Sequence, residues 1–136
     1  MLKRLLALTA CLLLLLTGCR QEQKLPLPEG MEASEVIAAG IEVATQLGEG
    51  EFRAIYDSLR EDVASSLQIE DVAALDPHLG QWQGVTASSA RGMEDEDSGE
   101  YYAMVTMTCK FEKGKRVIRV GFDEDWTLIG LSVAEP

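Results

Sequence analysis

The side chains of this 136-residue sequence that could form bonds, move protons or hold metals are three cysteines, one histidine and 23 carboxylates. Cys19 stands directly after Leu16-Thr17-Gly18, where two small residues leave its thiol open to a processing enzyme. Cys109 falls instead in an apolar/polar alternation and reads as a small buried hydrophobe, since a nucleophile would need a base beside it. His78 is the one imidazole, which excludes a His-rich metal site and a histidine pair. It follows Pro77, no Gly-x-Ser-x-Gly elbow accompanies it, and it reads as a partly exposed turn histidine. Glu94-Asp95-Glu96-Asp97 offers the hard oxygen donors that calcium prefers, but it lacks the spaced ligands and internal glycine of an EF-hand. A solvated hairpin turn is the expectation. Arg91 and Arg119 lie on predicted strands, where cross-strand charge pairing is expected and an anionic ligand is the alternative. No catalytic, cofactor-binding or metal-binding residue is assigned.

The first 19 residues carry an address. Lys3 and Arg4 make a positive start, residues 5–16 an apolar run of about a dozen, and Thr17-Gly18 a small-residue cleavage site. A transmembrane anchor would need about 20 apolar residues. Leu16-Thr17-Gly18-Cys19 resembles the bacterial lipobox, and the resemblance implies cleavage before Cys19, a diacylglycerol thioether on its sulfur and frequent acylation of the new amino terminus. The expected organisation is a signal peptide over 1–18, a lipidated Cys19 with a tether over 19–30, and one domain over 31–136. The expected place is the extracytoplasmic side of the cell membrane, with the lipid on Cys19 as the contact.

Signal removal takes two of the 12 basic residues and none of the 23 acidic ones, leaving a formal charge of −13. Nucleic-acid recognition depends on Lys and Arg, so that class of partner is excluded. Cys11 leaves with the signal and Cys19 is committed to lipid. Cys109 is then alone, and no internal disulfide can form. Roughly 100 residues remain for one core of ordinary size.

The tether, Arg20 onward to Gly30, is polar, with Pro26 and Pro28 favouring extension, and reaches at most roughly 35 Å. A first helix is predicted over 32–48, with Ser34 as cap and Ile37, Gly40, Ile41, Ala44 and Leu47 on its apolar face. Gly48-Glu49-Gly50 breaks it. Phe52, Ile55, Tyr56, Leu59 and Val63 then predict an unbroken second amphipathic helix facing the sheet, with Arg53, Asp57 and Arg60 outside. Val72, Leu75, Leu79 and Trp82 suggest a third helical segment, restarted by Asp76 as cap and Pro77 as first residue. After Gly84 the period becomes two, predicting strands over 85–93, 101–112, 116–122 and 126–133. Short turns link them, so the fold class is α+β, with N-terminal helices on a four-stranded antiparallel sheet.

This order resembles the domain of unknown function 3887 family, small exported bacterial domains that look like members of the NTF2-like superfamily of cystatin-like cones. The resemblance is carried by Leu47-Gly48-Glu49-Gly50-Glu51-Phe52, by Leu79 and Trp82, and by Phe122-Asp123 with Leu128-Ile129-Gly130-Leu131. It implies a cone but no catalytic residue. In the second strand one face reads Ala103, Val105, Met107, Cys109, Phe111 and the other Tyr102, Met104, Thr106, Thr108, Lys110. Neither has a central carboxylate that burial could turn into a general acid or base. The expected function is therefore non-catalytic binding of a protein or small molecule. The alternatives are a small isomerase or hydrolase with an inward carboxylate, and a homodimer paired through the exposed sheet face.

Overall fold

The computed structural model describes residues 25–136. The expected signal peptide and the expected lipidation of Cys19 fall outside them. Among the described residues four helices come first: α1 (Ala33–Gly48), α2 (Phe52–Ser58), α3 (Glu61–Ala64) and α4 (Ile69–Ala73). Four strands follow: β1 (Trp82–Glu94), β2 (Tyr101–Phe111), β3 (Gly114–Phe122) and β4 (Leu128–Ala134). The sheet order is β1-β2-β3-β4 and every pairing is antiparallel, which is the α+β arrangement expected from the short turns.

Strand alternation decides where the core lies. Ala103, Val105, Met107, Cys109 and Phe111 are buried, with Ile118, Val120 and Phe122 beside them on β3. Helix α1 covers them with Val36, Gly40, Val43, Ala44 and Leu47. Its buried stripe is rotated slightly from the expected one, leaving Ile37 and Ile41 half-buried. Gly40 permits the close approach: a Cβ there would meet all three side-chain carbons of Val105 at 2.9 Å. Ser34 lies inside the first turn, and Glu32 occupies the cap position without a side-chain bond.

Two helical expectations need correction. The second helix stops at Ser58, because Leu59 is extended and forms a parallel bridge with Leu128, while the Arg60 N–H donates to the Leu128 carbonyl at 2.9 Å. A tertiary bond to β4 outcompetes helix continuity there. Of that helix only Ile55 is fully buried, with Phe52, Tyr56 and Leu59 packed around the core margin and Arg53 exposed. The third segment ends at Ala73, and Trp82 begins β1, its ring edge-on to Phe111 with centroids 5.3 Å apart. Pro77 starts no helix; Asp76 Oδ1 instead accepts the His78 N–H at 2.9 Å in a turn where His78 has φ 54°.

Residues 25–30, assigned to the tether, lie on the domain. Leu25 bridges Gly92 antiparallel, the Gly92 N–H donates to its carbonyl at 3.0 Å, Tyr101 Oη donates to the Pro26 carbonyl, and Pro28 and Met31 are buried.

Candidate functional site

The short helices are tied together and to the sheet by polar bonds. Tyr56 Oη lies 3.2 Å from the carbonyls of both Ala64 and Leu67 and shares its one O–H between them, which folds α3 back beside α2. Between α2, α4 and the edge strand β4 this leaves an open cleft of about 280 Å³. Its walls are aliphatic: Ile55, Leu59, Val63 and Leu67 on one side, Val72 and Leu75 below, and Leu131 opposite, with Ile129 at the β4 edge that the cleft shares with the outer sheet face. Asp71 is its one carboxylate and is turned to its own helix, accepting the Gln68 N–H at 2.8 Å in a capping box. Chemically the cleft offers apolar area and one rim charge, which suits a small apolar group.

A second cluster lies at the end of the sheet, where sequence patterning placed only polar surface. Arg60 forms paired bonds to two carboxylates: Nη1 and Nη2 to Glu100 at 2.6 and 3.0 Å, and Nε and Nη2 to Asp62 at 2.7 and 3.0 Å. Nη1 also reaches Asp123 at 3.2 Å. Asp123 is the one buried charged side chain among the described residues, and its Oδ1 accepts the N–H groups of Asp125 and Thr127 at 3.0 and 2.9 Å. Those bonds and the Arg60 contact engage both carboxylate oxygens and shape the β3–β4 turn, in which Trp126 adopts φ 65° and stays partly exposed. The paired carboxylates hold the guanidinium protonated far above any physiological pH, and Arg60 holds the Asp62 carboxyl below its ordinary value. This is a structural clamp joining three elements distant in sequence. Leu59-Arg60 carried no signal for it, because its partners are 40 and 63 residues away.

The residues singled out by type stand apart from both features. Cys109 is buried among the core strands, and desolvation pushes its thiol up to about 11. His78 is an exposed turn residue, its ring 3.9 Å from Asp76. In residues 94–97 Asp95 Oδ1 accepts the N–H groups of Asp97 and Ser98, and these bonds lower its pKa. The carboxylates form a turn and, among the described residues, no group of three or more metal-ligating side chains converges. Arg91 and Arg119 both project from the outer sheet face, and among the described residues neither has an ion-pair partner. That face, with Tyr102, Met104, Thr106 and Ile129, is left uncovered by the helices. Among the described residues no helix is long and apolar enough to cross a membrane.

No curated protein matches the chain. A solved structure similar to it is an NMR structure of a protein from Ruminococcus gnavus ATCC 29149, with a TM-score of 0.64 and 19% identity. The likeness covers 80% of this chain and 96% of that one, and at that identity it is a likeness of fold. A family model described as a protein of unknown function (DUF3887) matches residues 41–131, from the middle of α1 into β4, more than half of the sequence, and the chain belongs to that family.

Proposed function

We propose that the protein is a membrane-anchored extracytoplasmic lipoprotein, attached through a lipid on Cys19, whose domain is an NTF2-like cone that binds a ligand without transforming it. The anchor rests on the positive start, the apolar run and Leu16-Thr17-Gly18-Cys19. The observation that carries the binding role is the cleft of about 280 Å³, walled by aliphatic side chains and open to solvent between α2, α4 and β4. The long antiparallel strands with helices on one face support the cone. The ligand is an aliphatic or aromatic group of modest size, presented by a small molecule or by a protein segment.

A small NTF2-like enzyme is the second reading, and Asp123 is the buried carboxylate it would use. The Arg60 and backbone donors already occupy that carboxylate, which favours binding over proton transfer. The test follows methyl resonances of Val63, Val72 and Leu131 in the chain from Arg20 onward while a library of small apolar compounds is added. Shifts confined to the cleft methyls, and lost in Leu131→Asp, support the proposal. Turnover abolished by Asp123→Asn would reverse it in favour of the enzyme.

A further inference from the structure

We infer that a hollow on the outer sheet face is a second binding site, for a small flat molecule carrying one carboxylate, with Arg119 as its anchor. The hollow has a volume of about 290 Å³. Its floor is made by Gly121 and Gly130, direct cross-strand partners on β3 and β4, and Tyr102 and Ile129 are walls on either side. A Cβ on Gly121 would sit 3.5 Å from two carbons of the Tyr102 ring and 3.6 Å from Ile129 Cγ1, so the gap between the walls is one atom layer wide. Over Gly130 the space is open, with nothing within 4 Å of a Cβ built there. A slot of that width takes a planar group, one face against the tyrosine ring and the other against isoleucine, and turns away a puckered group of similar size.

Charge decides what the flat group must carry. Strand register puts Arg91, Lys110, Lys115 and Arg119 on this face, and among the described residues none that the four strands present there is acidic. In a sequence with 23 acidic and 12 basic side chains, the face is a local reversal of sign. Arg119 lines the hollow, two residues from Gly121 and so about 7 Å along β3. The cross-strand pairing that would neutralise it is missing: it faces Thr106 and Ser132, and among the described residues it has no ion-pair partner. Its planar fork can hold a carboxylate through two parallel bonds, and Ser132, also in the lining, offers a hydroxyl donor. Asp95 and Glu100 stand at the rim, Glu100 bonded to Arg60 and Asp95 to the N–H groups of Asp97 and Ser98. Their charge opposes a phosphate dianion more than a carboxylate. The site depends on neither the aliphatic cleft nor the lipid, and the two hollows meet only along β4.

Benzoate is the probe, added to the full chain in detergent with its methionine methyls labelled with carbon-13. Met104 lines the hollow, while Met31 and Met107 are buried in the core, so their resonances separate the site from general effects. The expected result is a saturable shift at Met104 with Met31 and Met107 unmoved. Benzamide, flat but uncharged, and cyclohexanecarboxylate, charged but puckered, should each bind about tenfold or more weakly, and Arg119→Gln should weaken benzoate binding as much. Gly121→Ala puts a methyl into the slot at ordinary contact distance, so the urea midpoint should hold while benzoate binding is lost. The absence of a saturable shift at Met104, equally tight binding of benzamide or inorganic phosphate, or undiminished binding in Arg119→Gln or Gly121→Ala would overturn the inference.

Discussion

Arg60 Nη1 lies 2.6 Å from Glu100 Oε2, joining the linker after α2 to the start of β2 across forty residues of sequence. The same guanidinium reaches Asp62 and Asp123, while the Arg60 main chain is bonded to Leu128. One residue thus fixes where the helical layer meets the end of the sheet, and with it the mouth of the aliphatic cleft, whose Leu59 and Ile129 flank the bonded pair.

Removing that side chain should loosen the whole corner. Arg60→Ala leaves the buried Asp123 with its backbone donors but without its cation, and should cost about 1–3 kcal/mol. The partial exposure of Arg60 and Glu100 keeps the figure below that of a fully buried pair. Asp62→Ala, at a side chain 65% exposed, should do much less. Urea melts of the three proteins check the order.

Acid should act through the same cluster. Arg60 first, through its hydrogen bonds, holds Asp62 below its ordinary value of 3.8, and the Ser98 and Asp97 N–H groups do the same for Asp95. For depressed carboxylates the stabilisation is complete above the unfolded pKa and disappears as pH falls through the folded one, so the loss begins below about pH 4. Urea midpoints recorded from about pH 6 down to about pH 2.5 should fall in that window. The fall should be shallower in Arg60→Ala, where Asp62 has lost the cause of its shift.

The sheet and its parity were legible because residues 101–111 alternate cleanly and turn residues bound every strand. Helix α1 was legible too, to within a small rotation of its buried stripe. What patterning could not supply was long-range competition: Phe52 to Val63 is amphipathic over its whole length, and only the bonds from Leu59 and Arg60 to Leu128 break it. The clamp was hidden for the same reason, since Arg60, Glu100 and Asp123 each look like solvated surface until the fold brings them together. Trp82 was read with the helices because its spacing from Leu79 fits a helical turn; its packing against Gly48 and Phe111 puts it on β1.

The strap over 25–30 should depend on one glycine. A Cβ at Gly92 would collide with the Pro26 carbonyl and the Tyr101 ring, and no side-chain rotamer change moves a carbonyl. Gly92→Ala should therefore release the strap while leaving the core strands paired. Proteolysis after Glu29 by a glutamate-specific protease should quicken, with far-ultraviolet circular dichroism nearly unchanged.

Burial ranks the α2 side chains. Ile55 is fully enclosed, and Ile55→Ala should cost about 2–5 kcal/mol. Phe52 is half-buried at the margin, so Phe52→Ala should cost less than the about 3–5 kcal/mol of an enclosed phenylalanine. Arg53→Ala, on the exposed side, should stay within about 0.5 kcal/mol of the parent. Equal effects at Ile55 and Arg53 would mean that the helix is turned the other way.

The anchor can be tested by counting thiols. Burial holds the Cys109 thiol neutral, with its pKa pushed up to about 11, so in the folded protein it should not react with a disulfide reagent at neutral pH. Denaturation should expose one reactive thiol per chain if Cys19 carries a thioether, and two if the mature Cys19 is free. With the strap docked, the six residues 19–24 would join a lipid on Cys19 to the domain, at most about 20 Å if extended. A diacyl thioether supplies the two chains that stable anchoring requires, at about 0.8 kcal/mol per buried CH₂, and the acidic domain adds little attraction to an anionic surface. Cys19→Ser should accordingly abolish lipid attachment and the cut before residue 19. Finding two reactive thiols in the denatured membrane-bound protein, or mature Cys19→Ser protein retained at the membrane as firmly as its parent, would refute lipidation at this position.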